Sequence, residues 1–324
     1  MKTNYDKQAL DITNGKGNSG MAQNHLQPEQ PKQKPARAYG RLGYLLSKTK
    51  LHTPLCWVRH LGLRPADIFF GSYPRSGSTW TRFVLYEILT GRQATFEAVN
   101  STLLGVQRLN HGIPVLPAGG RLVGSHEQYR GKYRRALYLV RDGRDVLLSE
   151  YAYLTSLGLY RKDFDQFVAG FVGARGRVNG FGPWQRHVNS WLDSPIAGTS
   201  NFLLMQYEAL RQNPEDSFQR ICDFLGLRVS LDTIQKALNS NSISRMREKE
   251  RRTPQLPSGK DPFVRNGSVQ GWRGKLSQSQ LELFEQCAGG VLTRLGYPLS
   301  SAPLEAVAVS SQIHTEHSDT AMER

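Results

Sequence analysis

The chain has 324 residues, of which 39% are hydrophobic and 21% charged, and its 42 Lys and Arg against 27 Asp and Glu give a formal net charge of +15. This composition provides material for a sizeable core, and it excludes an acidic tail protein and a chain that is disordered throughout. The three cysteines are odd in number and far apart, which argues against a disulfide framework and a cysteine-based zinc site and fits a reducing compartment.

Both ends of the chain differ in composition from the middle. Residues 1–40 and 301–324 lack apolar periodicity, and we expect them to be disordered tails on either side of one domain at residues 41–300. The charges of the two tails cancel, so the excess positive charge lies in the domain and favours an anionic partner, with a solvated basic face as the alternative. No run of about 18 apolar residues and no secretory signal is present, so we expect no transmembrane segment and a cytoplasmic location.

The first predicted element is a buried strand at Asp67–Tyr73, followed by a loop rich in small residues and a helix at Thr79–Leu89. A helix that starts directly after such a loop offers free backbone N–H groups and a positive dipole end to an anion, and Arg75 adds a planar set of donors. Ser78 follows Gly77 where a Walker A loop has Lys, which argues against a simple ATPase or GTPase. The alternative is an ordinary capped helix after a turn.

Two further strands are predicted at Arg121–Ser125 and Ala136–Val140, and the second leads into a helix from Asp145 to about Leu154. Arg141, at the end of the strand, and Ser149, two turns along the helix, can converge on one phosphate group. The alternative makes the Arg and Asp residues between 141 and 145 a surface ion-pair cluster.

The remaining predicted elements are a strand at Asn201–Gln206, helices that end near Leu225, and a helix at Gln278–Leu295. Short apolar runs thus alternate with longer helical ones, which is typical of a parallel sheet covered on both faces. We therefore predict an α/β fold with P-loop-like, three-layer architecture and a central parallel sheet of about five strands.

Four stretches of the sequence resemble the cytosolic-type sulfotransferases, which transfer a sulfuryl group from 3′-phosphoadenosine 5′-phosphosulfate (PAPS). They match the family's motifs in the same order, and the resemblance covers the chain from about Phe69 to Tyr297. The four stretches are Tyr73–Trp80 (YPRSGSTW), Val140–Ser149 (VRDGRDVLLS), Gln206–Leu210 (QYEAL) and Phe263–Arg273 (FVRNGSVQGWR).

The resemblance implies how the donor PAPS and the product 3′-phosphoadenosine 5′-phosphate (PAP) are held. The loop would hold the 5′-phosphate, Trp80 would stack on the adenine, and Arg141, Ser149 and Arg265 would hold the 3′-phosphate. The residues that it assigns to the nucleotide are Arg75, Ser76, Gly77, Ser78, Thr79, Trp80, Arg141, Ser149, Tyr207, Asn241, Ser242, Met246, Arg265, Asn266 and Gly267.

The resemblance also implies the catalytic groups. His126 follows the strand Arg121–Ser125 at the position of the family's histidine base, and a neutral hydroxyl or amine needs such a proton acceptor to attack at neutral pH. By analogy with phosphoryl transfer we expect in-line attack, with Arg75 stabilising charge on the departing oxygen and Ser149 tuning it. We expect no metal site, since protein cations can perform that role.

The chain departs from the family's pattern at several positions. Arg75 replaces a lysine; arginine stays charged and is a poor proton donor. Gly124 replaces a second lysine, so either another basic side chain compensates or turnover is slow. Asn266, Gln270 and Gly271 also differ, but Arg265, Gly267 and Trp272 are kept.

Two other functions stay open on the sequence: a P-loop kinase or NTPase, and a non-catalytic nucleotide or polyanion binder that kept the fold, for which Gly124 is the best support. The acceptor, a small molecule or glycan with a hydroxyl or amine, is not indicated, because the segments 91–120, 155–180 and 247–262 contain no readable pattern. We expect no nucleic-acid partner, and nothing in the sequence indicates the oligomeric state.

Overall fold

The structure is a computed structural model, and it describes residues 58, 60–103, 112–173, 178–253, 262 and 264–300. The expected tails at residues 1–40 and 301–324 lie outside these ranges. The segments 91–120, 155–180 and 247–262, in which the sequence gives no indication of the acceptor, are each described only in part. The fold and the candidate site below are therefore built from the described residues.

The described residues form one parallel sheet in the strand order β2-β1-β3-β4. The four strands are β1 (Ile68–Ser72), β2 (Leu122–Ser125), β3 (Ala136–Val140) and β4 (Phe202–Gln206). All four predicted strands are confirmed, with ends that differ from the prediction by one residue at most. The α/β fold is thus confirmed, and the described part of the sheet has four strands where about five were expected.

Helices cover both faces of this sheet. The described helices are α1 (Ser78–Thr90), α2 (Phe96–Thr102), α3 (Gly143–Ser156), α4 (Phe164–Val172), α5 (Trp184–Leu192), α6 (Tyr207–Gln212), α7 (Pro214–Leu225), α8 (Leu231–Ser240), α9 (Ile243–Arg251) and α10 (Gln278–Arg294). The predicted helices after β1 and β3 and near the C-terminus are α1, α3 and α10, each with ends within about two residues of the prediction.

Side chains of each strand alternate between two hydrophobic clusters, one on each face of the sheet. Ile68 and Phe70 of β1 pack with α1, α2, α7 and α8. Phe69, between them, packs on the opposite face with α3, α4, α5 and α10. Because both faces are buried, the strands are apolar throughout, and the result is the predicted three-layer arrangement.

The charged residues after β3 form a buried cluster. Arg144 is fully buried, donates to Asp142 at 2.8 Å and to Glu285 at 2.9 Å, and lies 3.8 Å from the ring centroid of Trp272. The alternative prediction of a surface ion-pair cluster is wrong, because the Arg and Asp residues at positions 141, 142, 144 and 145 are at most 8% exposed. The cluster fixes the start of α3 and hence the position of Ser149.

The four strands are parallel, so their carboxyl ends lie at one edge of the sheet. The residues that follow them are Tyr73, His126, Arg141 and Tyr207. In the sheet β1 lies between β2 and β3, so the strand order reverses at β1. Ligands of open α/β sheets bind at the carboxyl edge beside such a reversal. The fold therefore collects the candidate residues at the edge of β1 and β3.

Candidate active site

The segment between β1 and α1 forms a tight loop around the start of the helix. Arg75 and Gly77 have positive φ angles of 67° and 97°. Gly77 occupies the N-cap position, so no capping side chain covers the first turn of α1. The first N–H groups of a helix have no partner within it and point beyond its end. The loop thus has the geometry of an anion site.

Arg75 links this loop to helix α3. Its Nε donates a hydrogen bond to Ser149 Oγ at 3.2 Å, and its guanidinium group lies 4.6 Å from the ring centroid of Tyr153. Nη1 of Arg141 donates to the carbonyl oxygen of Arg75 at 3.2 Å. The structure therefore brings Arg75, Arg141 and Ser149 together, as the sequence predicts.

Arg141 and Arg265 approach the same place from two other elements. Arg141 lies 4.6 Å from the ring centroid of Tyr207, and its Nη2 donates to the carbonyl oxygen of Ser268 at 2.9 Å. Arg265 is exposed, and its Nη1 donates to the carbonyl oxygen of Leu148 on α3 at 3.4 Å. Arg141 thus bonds the loop at Arg75, and Arg265 bonds the turn of α3 that contains Ser149.

The three arginines act on one another electrostatically. Burial lowers the pKa of Arg75, the nearby carboxylate of Glu150 raises it, and the positive charges of Arg265 and Arg141 lower it. Like charges collected in a partly desolvated cleft create a positive potential that attracts a polyanion. The basic side chains of this cleft are therefore clustered rather than spread over a solvated face.

Tyr207 is wedged between the loop and the segment after residue 264. Its hydroxyl donates to the carbonyl oxygen of Gly267 at 3.1 Å. A Cβ at Gly77 would lie 2.4 Å from the tyrosine ring, and one at Gly267 would lie 2.8 Å from the hydroxyl oxygen. Both glycines also have positive φ angles. Glycine is therefore favoured at each position for two reasons, the close approach of Tyr207 and the left-handed backbone. Asn266, beside Gly267, is exposed.

Trp80 of α1 lies at the other end of the cleft and is half-buried. Its Nε1 donates to the carbonyl oxygen of Asn241 at 3.0 Å, and the Arg211 guanidinium lies 5.4 Å from its ring centroid. The side chains of Asn241 and Met246 are buried, with the Asn241 amide bonded to Lys249 at 2.7 Å. Both side chains are thus enclosed by protein, and Ser242 is half-buried.

His126 lies at the end of β2, with its ring against the loop. Its Nδ1 is 2.8 Å from the carbonyl oxygen of Ser72, which can only accept, so Nδ1 bears the proton and Nε2 has the free electron pair. The ring also packs edge-on against Phe181, with centroids 5.8 Å apart. Burial lowers the pKa of His126, and the charges of Arg82 and Arg75 lower it too, against the opposing effect of the Ser72 carbonyl. The imidazole is therefore neutral at pH 7, as a base must be.

Gly124 precedes His126 by two residues and pairs with Phe70 in the sheet. Alternation along β2 places a side chain at this position on the face covered by α1. Arg82 of α1 donates to the carbonyl oxygens of Val99 and Leu103, and its charge lowers the pKa of His126. Position 124 itself supplies no side chain at the end of β2.

Several residues of the site were missed in the sequence. His187 is fully buried, donates from Nε2 to the carbonyl oxygen of His126 at 3.0 Å and accepts from the Tyr138 hydroxyl at 3.0 Å; burial lowers its pKa to about 3. No sequence signal links it to His126, which is 61 residues away. Tyr153 could have been found, since it lies one helical turn after Ser149 on the same face.

Two further observations concern the described part of the chain. No group of three or more His, Cys, Asp or Glu side chains there is arranged to hold a metal ion. None of its helices combines the length and apolar composition needed to cross a bilayer.

Comparisons with known proteins find sulfotransferases both among family models and among individual relatives. A model of the Sulfotransferase domain family matches residues 125–296, more than half of the chain. Sulfotransferase 2A6 of Mus musculus is 26% identical over 269 residues, which cover 75% of this chain and 89% of the relative. The match to the family begins at β2, so the loop between β1 and α1 lies outside it.

Solved structures share the fold. The crystal structure of mouse sulfotransferase SULT7A1 complexed with PAP matches with a TM-score of 0.59 and 19% identity over 84% of this chain and 95% of that chain. The crystal structure of retinol dehydratase in complex with androsterone and the inactive cofactor PAP matches with a TM-score of 0.59 and 22% identity over 72% and 83% of the two chains.

Proposed function

The chain belongs to the Sulfotransferase domain family, and from this premise we propose that it transfers a sulfuryl group from PAPS to a hydroxyl or amine of a small-molecule or glycan acceptor, with PAP as the product. The observation that carries the proposal is the convergence of Arg75, Arg141, Arg265 and Ser149 at the carboxyl edge of β1 and β3. The two structural neighbours that contain PAP support the choice of donor. The expected cytoplasmic location stays a prediction.

The residues present fit a nucleotide with phosphates at both ends of its ribose. Ser76 is fully buried in the loop, and its Oγ has no hydrogen-bond partner among the described residues, so a donor remains for an anion. In this proposal Arg75 and the amides of residues 76–80 hold the 5′-phosphate end. Arg141, Ser149 and Arg265 hold the 3′-phosphate, with Asn266 and Gly267 beside it, and Trp80 stacks on the adenine.

The acceptor is activated by His126. The carbonyl of Ser72 fixes the Nδ1–H tautomer, so Nε2 takes the proton of the attacking hydroxyl or amine. PAPS supplies the activated sulfuryl group; its bond to the bridging oxygen breaks as the bond to the acceptor forms. Arg75 stabilises the negative charge on that departing oxygen by hydrogen bonding rather than by giving up a proton. Ser149, bonded to Arg75 Nε, orients the guanidinium group.

Gly124 favours a second candidate, a nucleotide or polyanion binder without catalysis, because position 124 supplies no charge beside His126. The two candidates predict the same affinity for PAP and differ in transfer. The Nδ1–H tautomer of His126, held by the carbonyl oxygen of Ser72, favours the enzyme, since it leaves Nε2 as a proton acceptor.

Incubation with ³⁵S-labelled PAPS and a panel of phenols, steroids, amines and oligosaccharides tests the proposal. We expect label in at least one acceptor class, together with release of PAP in equal amount. PAP binding without transfer to any class would support the binder instead. Phosphate release from ATP and Mg²⁺ would support the kinase or NTPase, against which Ser78 in place of the Walker lysine already argues.

A further inference from the structure

A buried carboxyl group lies directly behind the anion loop. Glu150 follows Ser149 on α3, and 3% of its surface is exposed. Its Oε1 accepts a hydrogen bond from Asn179 Nδ2 at 3.0 Å, whereas Oε2 is buried and has no hydrogen-bond partner among the described residues. A buried carboxylate with an unsatisfied oxygen is costly. The position therefore needs a physical explanation.

Asn179 connects this carboxyl group to the rest of the site. It is 2% exposed, and its Nδ2 also donates to the Tyr73 hydroxyl at 3.0 Å. Its Oδ1 accepts from the backbone N–H of Phe181 at 3.0 Å, and the Phe181 ring packs against His126. Glu150 thus belongs to a rigid network that joins α3, the anion loop and the surroundings of the base.

The charges around Glu150 can be identified. Burial raises its pKa, and the hydrogen bond from Asn179 and the charge of Arg75 lower it. Burial also raises the pKa values of Tyr73 and Tyr153, so both phenols stay neutral at pH 7. His187 lies beyond Tyr73, with ring centroids 5.2 Å apart, and is neutral as well. Arg75, whose Nε donates to the adjacent Ser149, is the cation whose charge acts on Glu150.

We propose that Glu150 is the internal counterion of Arg75 and takes up a proton when a phosphate group occupies the loop. This inference rests on the proposed function, since the 5′-phosphate end of the nucleotide is the anion. The entering phosphate shares Arg75 and adds a like charge, which disfavours the ionised carboxyl group. The proton comes from solvent and returns to it when PAP leaves. The charge of Arg75 then acts on the phosphate in place of Glu150.

Isothermal titration calorimetry of PAP binding tests this at pH 7 in buffers of different ionisation enthalpy, since the dependence on buffer gives the number of protons taken up. The comparison is between wild type and Glu150→Gln, which keeps an acceptor oxygen for Asn179 and removes the titration. We expect wild type to take up between about one half and one proton more per PAP, one being the limit for a single carboxyl group. The phosphates of PAP titrate in both proteins, so the difference isolates Glu150. Glu282→Gln, an exposed carboxyl group on α10, is the matched control and should equal wild type.

Equal proton uptake by wild type and Glu150→Gln, with both binding PAP, overturns the inference and leaves the proposed function intact. If the variant does not fold, the infrared difference spectrum of wild type with and without PAP replaces it. The carbonyl band of a protonated carboxyl group must then appear on binding, and its absence overturns the inference. Failure of wild type to bind PAP overturns the proposed function and this inference together.

Discussion

Replacement of His126 by Ala should lower kcat by about 10²- to 10⁴-fold, the usual contribution of a general base. The affinity for PAP should stay close to that of wild type, because His126 lies at the end of β2, whereas Arg141 and Arg265, which hold the 3′-phosphate in this proposal, lie after β3 and in the segment after residue 264. Initial rates with labelled PAPS and calorimetry with PAP measure the two quantities. Turnover by the variant at the wild-type rate would remove His126 from the mechanism.

Two further variants separate the base from its hydrogen bond. His126→Asn places an amide nitrogen near the position of Nδ1, so it can keep the bond to the carbonyl of Ser72 while it lacks a proton acceptor. His126→Gln places an amide near Nε2, where it is too weak a base to accept a proton. Both variants should be as slow as His126→Ala. Near-normal kcat in His126→Asn would mean that the ring has only a structural role.

The pH dependence of kcat provides an independent check on the same group. Transfer needs the neutral imidazole, so kcat falls as acid protonates it. Because burial and the charges of Arg82 and Arg75 lower the pKa of His126 from 6.5, the fall should occur only below pH 6.5. This acid limb should vanish in His126→Gln.

Replacement of Arg141 by Ala should weaken the binding of PAP by about 1.5–3 kcal/mol, or roughly 10- to 150-fold in Kd, the range for hydrogen bonds to a charged group. Arg141 lies on the ring of Tyr207 and donates to the carbonyl oxygen of Arg75, where the 3′-phosphate is proposed to bind. The affinity for 5′-AMP, which has no 3′-phosphate, should change far less. Calorimetry with the two nucleotides measures the difference.

The control for this prediction is Lys275→Ala, which removes an exposed positive charge from the same C-terminal segment without touching the cleft. It should leave both affinities unchanged. Arg141→Lys should lie between wild type and Arg141→Ala, since lysine keeps the charge and loses the planar pair of donors. Equal losses of affinity for PAP and 5′-AMP in Arg141→Ala would contradict specific binding of the 3′-phosphate by Arg141. Arg141→Ala also removes the 3.6 Å ion pair with Asp145, so a thermal unfolding measurement checks that the variant is folded.

The positions of the four strands, and the convergence of Arg75, Arg141 and His126 at one edge of the sheet, could be predicted from the sequence. Strand patterns are local, and parallel strands end at one edge, so residues that directly follow strands must meet there. The sequence did not indicate that the side chains of Asn241 and Met246, which were expected near the adenine, are buried. A motif does not distinguish a side chain that faces a ligand from one that is enclosed, and their place at the adenine stays a prediction.

The Glu150 and Asn179 network was also beyond the sequence. The two residues are 29 positions apart, on a helix and on a segment without regular structure, and their contact depends on how α3 packs against the chain before α5. A polar residue on a helix is more often exposed, so nothing local marks Glu150 as buried. Tertiary packing alone places this carboxyl group behind Arg75.

A crystal structure of the protein soaked with PAP tests the central claim most directly. The account predicts the 3′-phosphate between Arg141, Ser149 and Arg265, the 5′-phosphate on the amides of residues 76–80, and Nε2 of His126 facing the 5′ end. PAP bound elsewhere on the molecule, or with its phosphates turned away from these arginines, would contradict it.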